Sequence, residues 1–193
     1  MPKKDLAQER DAVDMVTDCM YSLDYLRVAT DVIFSDKRNN VTVGRFYDEW
    51  LKATGSPRVI MPFNPGVLLA YLYVGILFAK EGWFDLLPAD QIKDSDEAWG
   101  LKGASVSSPK EANPTIRYAV RRMRNSLGHG HPIFFLPDGT KKEELFAKAT
   151  FSFHDVNMRD QADTFDIALT LDQLASLVKK FQSVVHAHVR EKK

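Results

Sequence analysis

The segment from Asn113 to Pro132 holds four arginines (Arg117, Arg121, Arg122, Arg124), two histidines (His129, His131) and no acid. The whole chain of 193 residues has 26 Lys plus Arg against 26 Asp plus Glu. This is therefore a local concentration of positive charge in a neutral protein, and a polyanion would be met by such a patch rather than by a globally basic coat. A guanidinium offers a planar fork of donors that suits phosphate oxygens. Imidazole, with an unperturbed pKa of about 6.5, exchanges protons near neutrality. Arg124 and His129 at the exposed end of one helix would make a phosphodiester-handling site. RNA supplies its own nucleophile, the 2′-hydroxyl, so acid–base catalysis with charge stabilisation would require no metal.

A helix must carry these groups. Asn113-Pro114 is a start signal, since Asn accepts from free N–H groups and Pro tolerates the first turn. Ile116, Val120, Met123 and Leu127 then follow in steps of four, three and four, and Gly128 is the expected stop. A helix C-terminus favours cations, so Arg124 would also be stabilised there with no functional role. Arg117, Arg121 and Arg122 read as a solvated or RNA-facing surface, His129 equally fits a plain turn residue, and His131, before Pro132, reads as structural.

Around this helix the periodicities predict further elements. A long helix runs from about Asp5 to Phe34, with Ala12, Val16, Cys19, Leu23, Leu26, Thr30 and Ile33 on one stripe. Asp11, Asp14 and Asp18 form an acidic stripe on another face. A short helix is expected over Thr42 to Ala53. A helix apolar nearly all round follows from Asn64-Pro65 to about Glu81, as in the buried centre of a bundle. Pro88 to Ala112 reads mostly as loop. Phe151 and Phe153, then Phe165, Ile167 and Leu169, alternate with neighbours on the other face, as two strands joined by a long polar loop over Asn157 to Thr164. Ile133 to Leu136 offers a possible third strand, and Thr140 to Lys148 a short helix. Thr170 with Gln173 caps the last helix, whose stripe is Leu171, Leu174, Val178, Phe181, Val185 and His188. The expected fold is mainly α: a four-helix bundle with a small β-hairpin insertion, about residues 132–170, before the last helix, in one domain over residues 1–193.

Composition narrows the chemistry. Cys19 is the sole cysteine, so no intrachain disulfide forms, and on an apolar stripe it reads as an inert thiol. No metal site is expected, because His129 and His131 lack a firm third ligand. The N-terminal residues lack an apolar signal-peptide core, and the longest apolar run, Val67 to Ala79, falls short of the roughly 20 residues a bilayer needs. The expectation is a reduced, cytoplasmic protein with no membrane partner. Neither a Walker-type phosphate loop nor a Gly-x-Ser-x-Gly elbow is present.

Arg124-Asn125-Ser126-Leu127-Gly128-His129 resembles the Arg-polar-x-x-x-His signature of the HEPN superfamily, four-helix bundles that carry the motif towards the end of the third helix. The resemblance implies a metal-independent endoribonuclease without cofactor, a toxin or defence protein that works as a homodimer on RNA, with an antitoxin as a possible partner. It implies that Arg124 binds or polarises the scissile phosphate, that His129 is general acid or base and that Asn125 orients its neighbours. Tyr118 and Arg121 would contact substrate, and an acid of the first helix (Asp11, Asp14, Asp18 or Asp24) could join them. The resemblance equally admits a catalytically inert module that binds a nucleotide, RNA or protein. A third reading is a plain helical dimerisation protein, with the first helix as its seam.

Overall fold

The structure is a computed structural model that describes residues 21–29, 32, 41–57, 60, 62, 64–77, 81–129, 132–141 and 144–191. Contacts divide the chain into two compact units, residues 1–71 and 72–193. In the first unit, residues 21–29 form helix α1 and Val43–Thr54 form helix α2. The Thr42 hydroxyl caps α2 by accepting from the Arg45 N–H at 3.2 Å, and Gly55 closes it in the left-handed conformation. Tyr25 of α1 meets Phe46 and Trp50 of α2 edge-on, with ring centroids 5.2 and 5.0 Å apart. Hydrogen bonds from Arg27 and from the indole of buried Trp50 hold the Asp24 carboxyl below the usual carboxylate range. Asn64 caps helix α3, Pro65–Leu72, by accepting from the Val67 N–H at 3.1 Å. Its amide also donates to the buried Ser22 hydroxyl at 2.7 Å.

The second unit carries a π-turn, Tyr73–Leu77, and 3-10 turns at Glu81–Leu86, Ile92–Asp94 and Glu97–Trp99. Its strands are β1 (Ser105–Ser107), β2 (Ile133–Phe135), β3 (Thr150–Asn157) and β4 (Asp160–Thr170); its helices are α4 (Ile116–His129), α5 (Leu145–Lys148) and α6 (Leu171–Glu191). The sheet is antiparallel throughout, in the order β1-β4-β3-β2. Strand side chains alternate between faces. Phe151, Phe153, Phe165, Ile167 and Leu169 therefore share one face and are buried there, each contributing about 1.5–3 kcal/mol. Ile116, Val120, Met123 and Leu127 of α4, and Leu174, Val178 and Phe181 of α6, are buried in the same core. The Thr170–Gln173 capping box forms in both directions: the Gln173 side chain accepts from the Thr170 N–H at 2.8 Å, and the Thr170 hydroxyl from the Gln173 N–H at 3.2 Å. Gly75 lets the π-turn meet α6, since a Cβ there would stand 2.7 Å from Val178 Cγ1.

This architecture corrects the mainly helical bundle with a hairpin insertion. The second unit is mixed α/β, and its four-stranded sheet begins with β1, upstream of α4, so it is not an insertion between the last two helices. A three-residue strand of Ser-Val-Ser within a polar stretch is too short for alternation to register. The expected long loop over Asn157 to Thr164 is a two-residue turn at Met158-Arg159, because the polar residues that open β4 lie at the exposed end of the hairpin. The helix from Asn64 gives way to the π-turn after Leu72. Gly128 does not stop α4, which runs on to His129. Among the described residues no helix is long and apolar enough to cross a membrane. The expected helix from Asp5 is described only at residues 21–29 and at residue 32; Asp11, Asp14, Asp18 and Cys19 lie outside the described residues, as does His131.

Candidate functional site

Helix α4 has two polar flanks beside its buried stripe. Arg117, Arg121 and Arg124, at i, i+4 and i+7, share the first. Arg117 donates to the Leu87 carbonyl at 2.9 Å and the Asp85 carbonyl at 2.8 Å. Arg121 pairs with the Asp85 carboxylate at 2.8 Å. The Arg124 guanidinium stands 6.0 Å from the ring centroid of buried Phe84. All three thus engage the Glu81–Leu86 turn or the residue that follows it. This Arg121–Asp85 pair is exposed and contributes at most about 1 kcal/mol.

Arg122, Asn125 and His129, at i, i+3 and i+7, share the other flank, towards the β3–β4 hairpin. Arg122 is only 8% exposed and Asp155 4%, so their charges must be matched locally. Arg122 Nε lies 2.6 Å from Asp155 Oδ2, and its Nη1 donates to Asp163 Oδ2 at 3.2 Å. Its Nη2 donates to the backbone carbonyls of Asp155 at 3.2 Å and Asp163 at 2.9 Å. The guanidinium also lies 5.6 Å from the Tyr118 ring centroid and 6.0 Å from that of Phe165. The Asn125 amide donates to Asp155 Oδ2 at 3.4 Å, and the Asn157 amide to Asp163 Oδ2 at 3.0 Å. A buried polar network thereby ties α4 to the hairpin.

Asp163 gives this network a pH signature. The Asn157 hydrogen bond, and then the Arg122 charge, hold its carboxyl below the ordinary value, while burial works the other way. A carboxyl depressed in the folded state stabilises it above the unfolded pKa of about 3.9, and that stabilisation is lost as pH falls through the folded value. Between about pH 5 and pH 3 the urea midpoint of the wild type should therefore fall further than that of Asp163→Asn. Equal falls in the two proteins would show that the pair contributes nothing.

The residues expected to form the site are distributed over both flanks. His129 is exposed and is the last residue of α4; Asn125 is exposed on the same flank, and Arg124 is half-buried on the other. At 3.6 residues per turn, five residues separate Arg124 and His129 by about 140° around the axis and about 7.5 Å along it. Arg121 is occupied by Asp85. Tyr118 packs on Phe165, with centroids 5.6 Å apart, and its hydroxyl lies 3.3 Å from Ser108 Oγ. In this structure, then, Arg121 is paired with an exposed carboxylate and Tyr118 is packed against a ring of β4. Of the first-helix acids only Asp24 is described, and it is held by Arg27 and Trp50. Among the described residues no three His, Cys, Asp or Glu side chains gather where they could hold a metal ion. A groove of about 740 Å³, lined by Val74, Trp83, Phe181, Val185 and His186 among others, contains none of the motif residues.

Sequence reasoning missed Asp155, Asp163 and Asn157. A signal for the first was present: Asp155 continues the inward series Phe151, Phe153, and an acid at an inward strand position calls for a cation opposite.

Compared with known families, residues 12–192 match the family described as HEPN pEK499 p136. No curated protein and no solved structure matches the chain. The match spans nearly the whole sequence, with the Arg124-to-His129 motif inside it, and the chain belongs to the HEPN pEK499 p136 family.

Proposed function

We propose that the protein is a metal-independent endoribonuclease whose site is built from Arg124, Asn125 and His129. The observation that carries the reading is His129, exposed in the last turn of α4 five residues after Arg124, in a chain of the HEPN family. In cleavage of this kind the 2′-hydroxyl attacks the adjacent phosphorus, the bond to the 5′ oxygen breaks, and a 2′,3′-cyclic phosphate and a 5′-hydroxyl result. One group takes the 2′ proton, another protonates the leaving oxygen, and a cation stabilises the charge that builds on the phosphorane. His129 fits the proton-transfer roles and Arg124 the charge. Because the two stand about 140° apart on one helix, the reading includes a homodimer. A second copy brings its His129 to the other copy's Arg124 and supplies the second proton carrier. Action in the cytoplasm as a toxin or defence factor, held by an antitoxin, is the corresponding physiological proposal.

The test is cleavage of a labelled RNA in EDTA by the wild type and by Arg124→Ala. Cleavage should survive the chelator, and the variant should be about 10²-fold slower, the effect of removing one charge-stabilising donor. One observation favours an alternative, an inert RNA- or nucleotide-binding module: Arg117 and Arg121 are occupied, and Arg124 packs near Phe84. If a panel of unrelated RNAs stays intact while binding weakens steeply with salt, that module is the correct reading.

A further inference from the structure

We infer that the groove between the Tyr73–Leu77 π-turn, the Glu81–Leu86 turn and helix α6 binds a small amphipathic anion, a carboxylate carried on an aliphatic or aromatic body. Its volume of about 740 Å³ is that of a small-molecule site. Its lining residues all lie in the second unit and none belongs to the α4 motif, so the inference stands apart from RNA cleavage.

Helix α6 furnishes one wall with two rows of side chains. Phe181, Val185 and Val189, at i, i+4 and i+8, form an apolar row, and Gln182, His186 and Arg190 form a polar row beside it. The floor is fixed. Phe181 and Val185 are buried, and the Phe181 ring packs near Phe84 with centroids 5.6 Å apart. The rim is apolar and open to solvent: Val74 of the π-turn is 68% exposed and Val189 is 48% exposed. At Gly75 the π-turn meets α6 beside Val178, which gives the groove an apolar inner end. His186 and Arg190 lie about two and three turns further along α6, so the cations stand at the outer end.

Among the described residues no acid lines the groove, and neither His186 nor Arg190 has a carboxylate partner. Arg190, in the last turn of α6, is favoured there by the helix dipole, and its fork matches a carboxylate. Apolar surface beside unpaired cationic groups calls for an occupant with an apolar body and an anionic head. Size then decides between occupants. A helix about 10–12 Å across would fill this volume within about one and a half turns, too little to anchor a partner protein. An anionic membrane recruits clusters of about four to eight Lys and Arg, and this mouth offers one arginine and one histidine. A free small molecule fits both limits.

The test is calorimetric titration of the full chain with decanoate, decylammonium and adenosine monophosphate, each below any micelle-forming concentration. Decanoate should bind with a Kd below about 1 mM, and the other two should not. Val74 and Arg190 are exposed, so Val74→Asp and Arg190→Glu should keep the wild-type urea midpoint while each weakens decanoate about tenfold or more. Decanoate should also change the tryptophan fluorescence of the wild type and leave that of Trp83→Phe unchanged, because Trp50 and Trp99 are buried away from the groove. His129→Ala should bind decanoate as the wild type does, whatever its effect on RNA. Absence of decanoate binding, equal binding of decylammonium or adenosine monophosphate, or wild-type affinity in both groove variants would each overturn the inference. So would tighter capture by phosphatidylglycerol vesicles that Arg190→Glu abolishes, which would make the groove a membrane-facing patch.

Discussion

Cleavage of RNA by His129→Ala in EDTA should be about 10²–10⁴-fold slower than by wild type, the usual contribution of a positioned general acid or base. The position makes this a clean measurement. His129 is exposed at the last residue of α4, so its truncation removes little packing. The urea midpoint should stay within the equivalent of about 0.5 kcal/mol of wild type. A slow variant with unchanged stability assigns the loss to chemistry. A variant that cleaves at the wild-type rate removes His129 from the reaction, and with it the catalytic meaning of the Arg124-to-His129 motif.

The second large effect is thermodynamic. Arg122→Ala should destabilise the protein by about 3–5 kcal/mol, because it leaves the 4%-exposed Asp155 carboxylate without its ion-pair partner and removes donors from Asp163 and two backbone carbonyls. Loss of the contacts with Tyr118 and Phe165 adds to this. Replacing the whole set with apolar residues of similar volume (Arg122→Met, Asp155→Leu, Asp163→Leu) should recover much of the loss, since desolvating the charges is itself costly. Urea unfolding of wild type, single variant and triple variant decides the matter. A single variant within about 1 kcal/mol of wild type would mean that water reaches the Asp155 carboxylate and replaces the guanidinium.

Helix α4 was legible because its stripe of Ile116, Val120, Met123 and Leu127 needs only local periodicity. The start of α6 was legible because the Thr170–Gln173 box is satisfied within four residues. The paired strands β3 and β4 were readable from Phe151, Phe153, Phe165, Ile167 and Leu169, which alternate cleanly. Strand β1 was not, because nothing in Ser105-Val106-Ser107 differs from a polar loop until β4 lies alongside it. The end of α4 was misplaced by one signal, since a glycine permits a helix stop without enforcing one, and Gly128 continues the helix at a point where a Cβ would stand 3.6 Å from Leu77 Cδ1. At the site, the motif was visible as a string of residue types. What the string could not convey is rotation: Arg124 and His129 fall on opposite polar flanks, and the partners on each flank come from remote segments, Phe84 and Asp85 on one side and Asp155 on the other.

The pairing of β1 with β4 joins residues roughly sixty positions apart, Ser105 with Ala168 and Ser107 with Asp166. During synthesis from the N-terminus, β1 and all of α4 emerge from the ribosome before the strands that complete their sheet. Helix α4 must then wait with Met123, Val120 and Leu127 uncovered, and with Arg122 lacking both of its carboxylates. Such non-local closure belongs to slow folding and to nascent chains that attract chaperones. A fragment cut between α4 and β2 would therefore carry the entire Arg124-to-His129 motif and yet have no means of folding around it. The helix that carries the motif finds the strands it packs against only after the last third of the chain has been made.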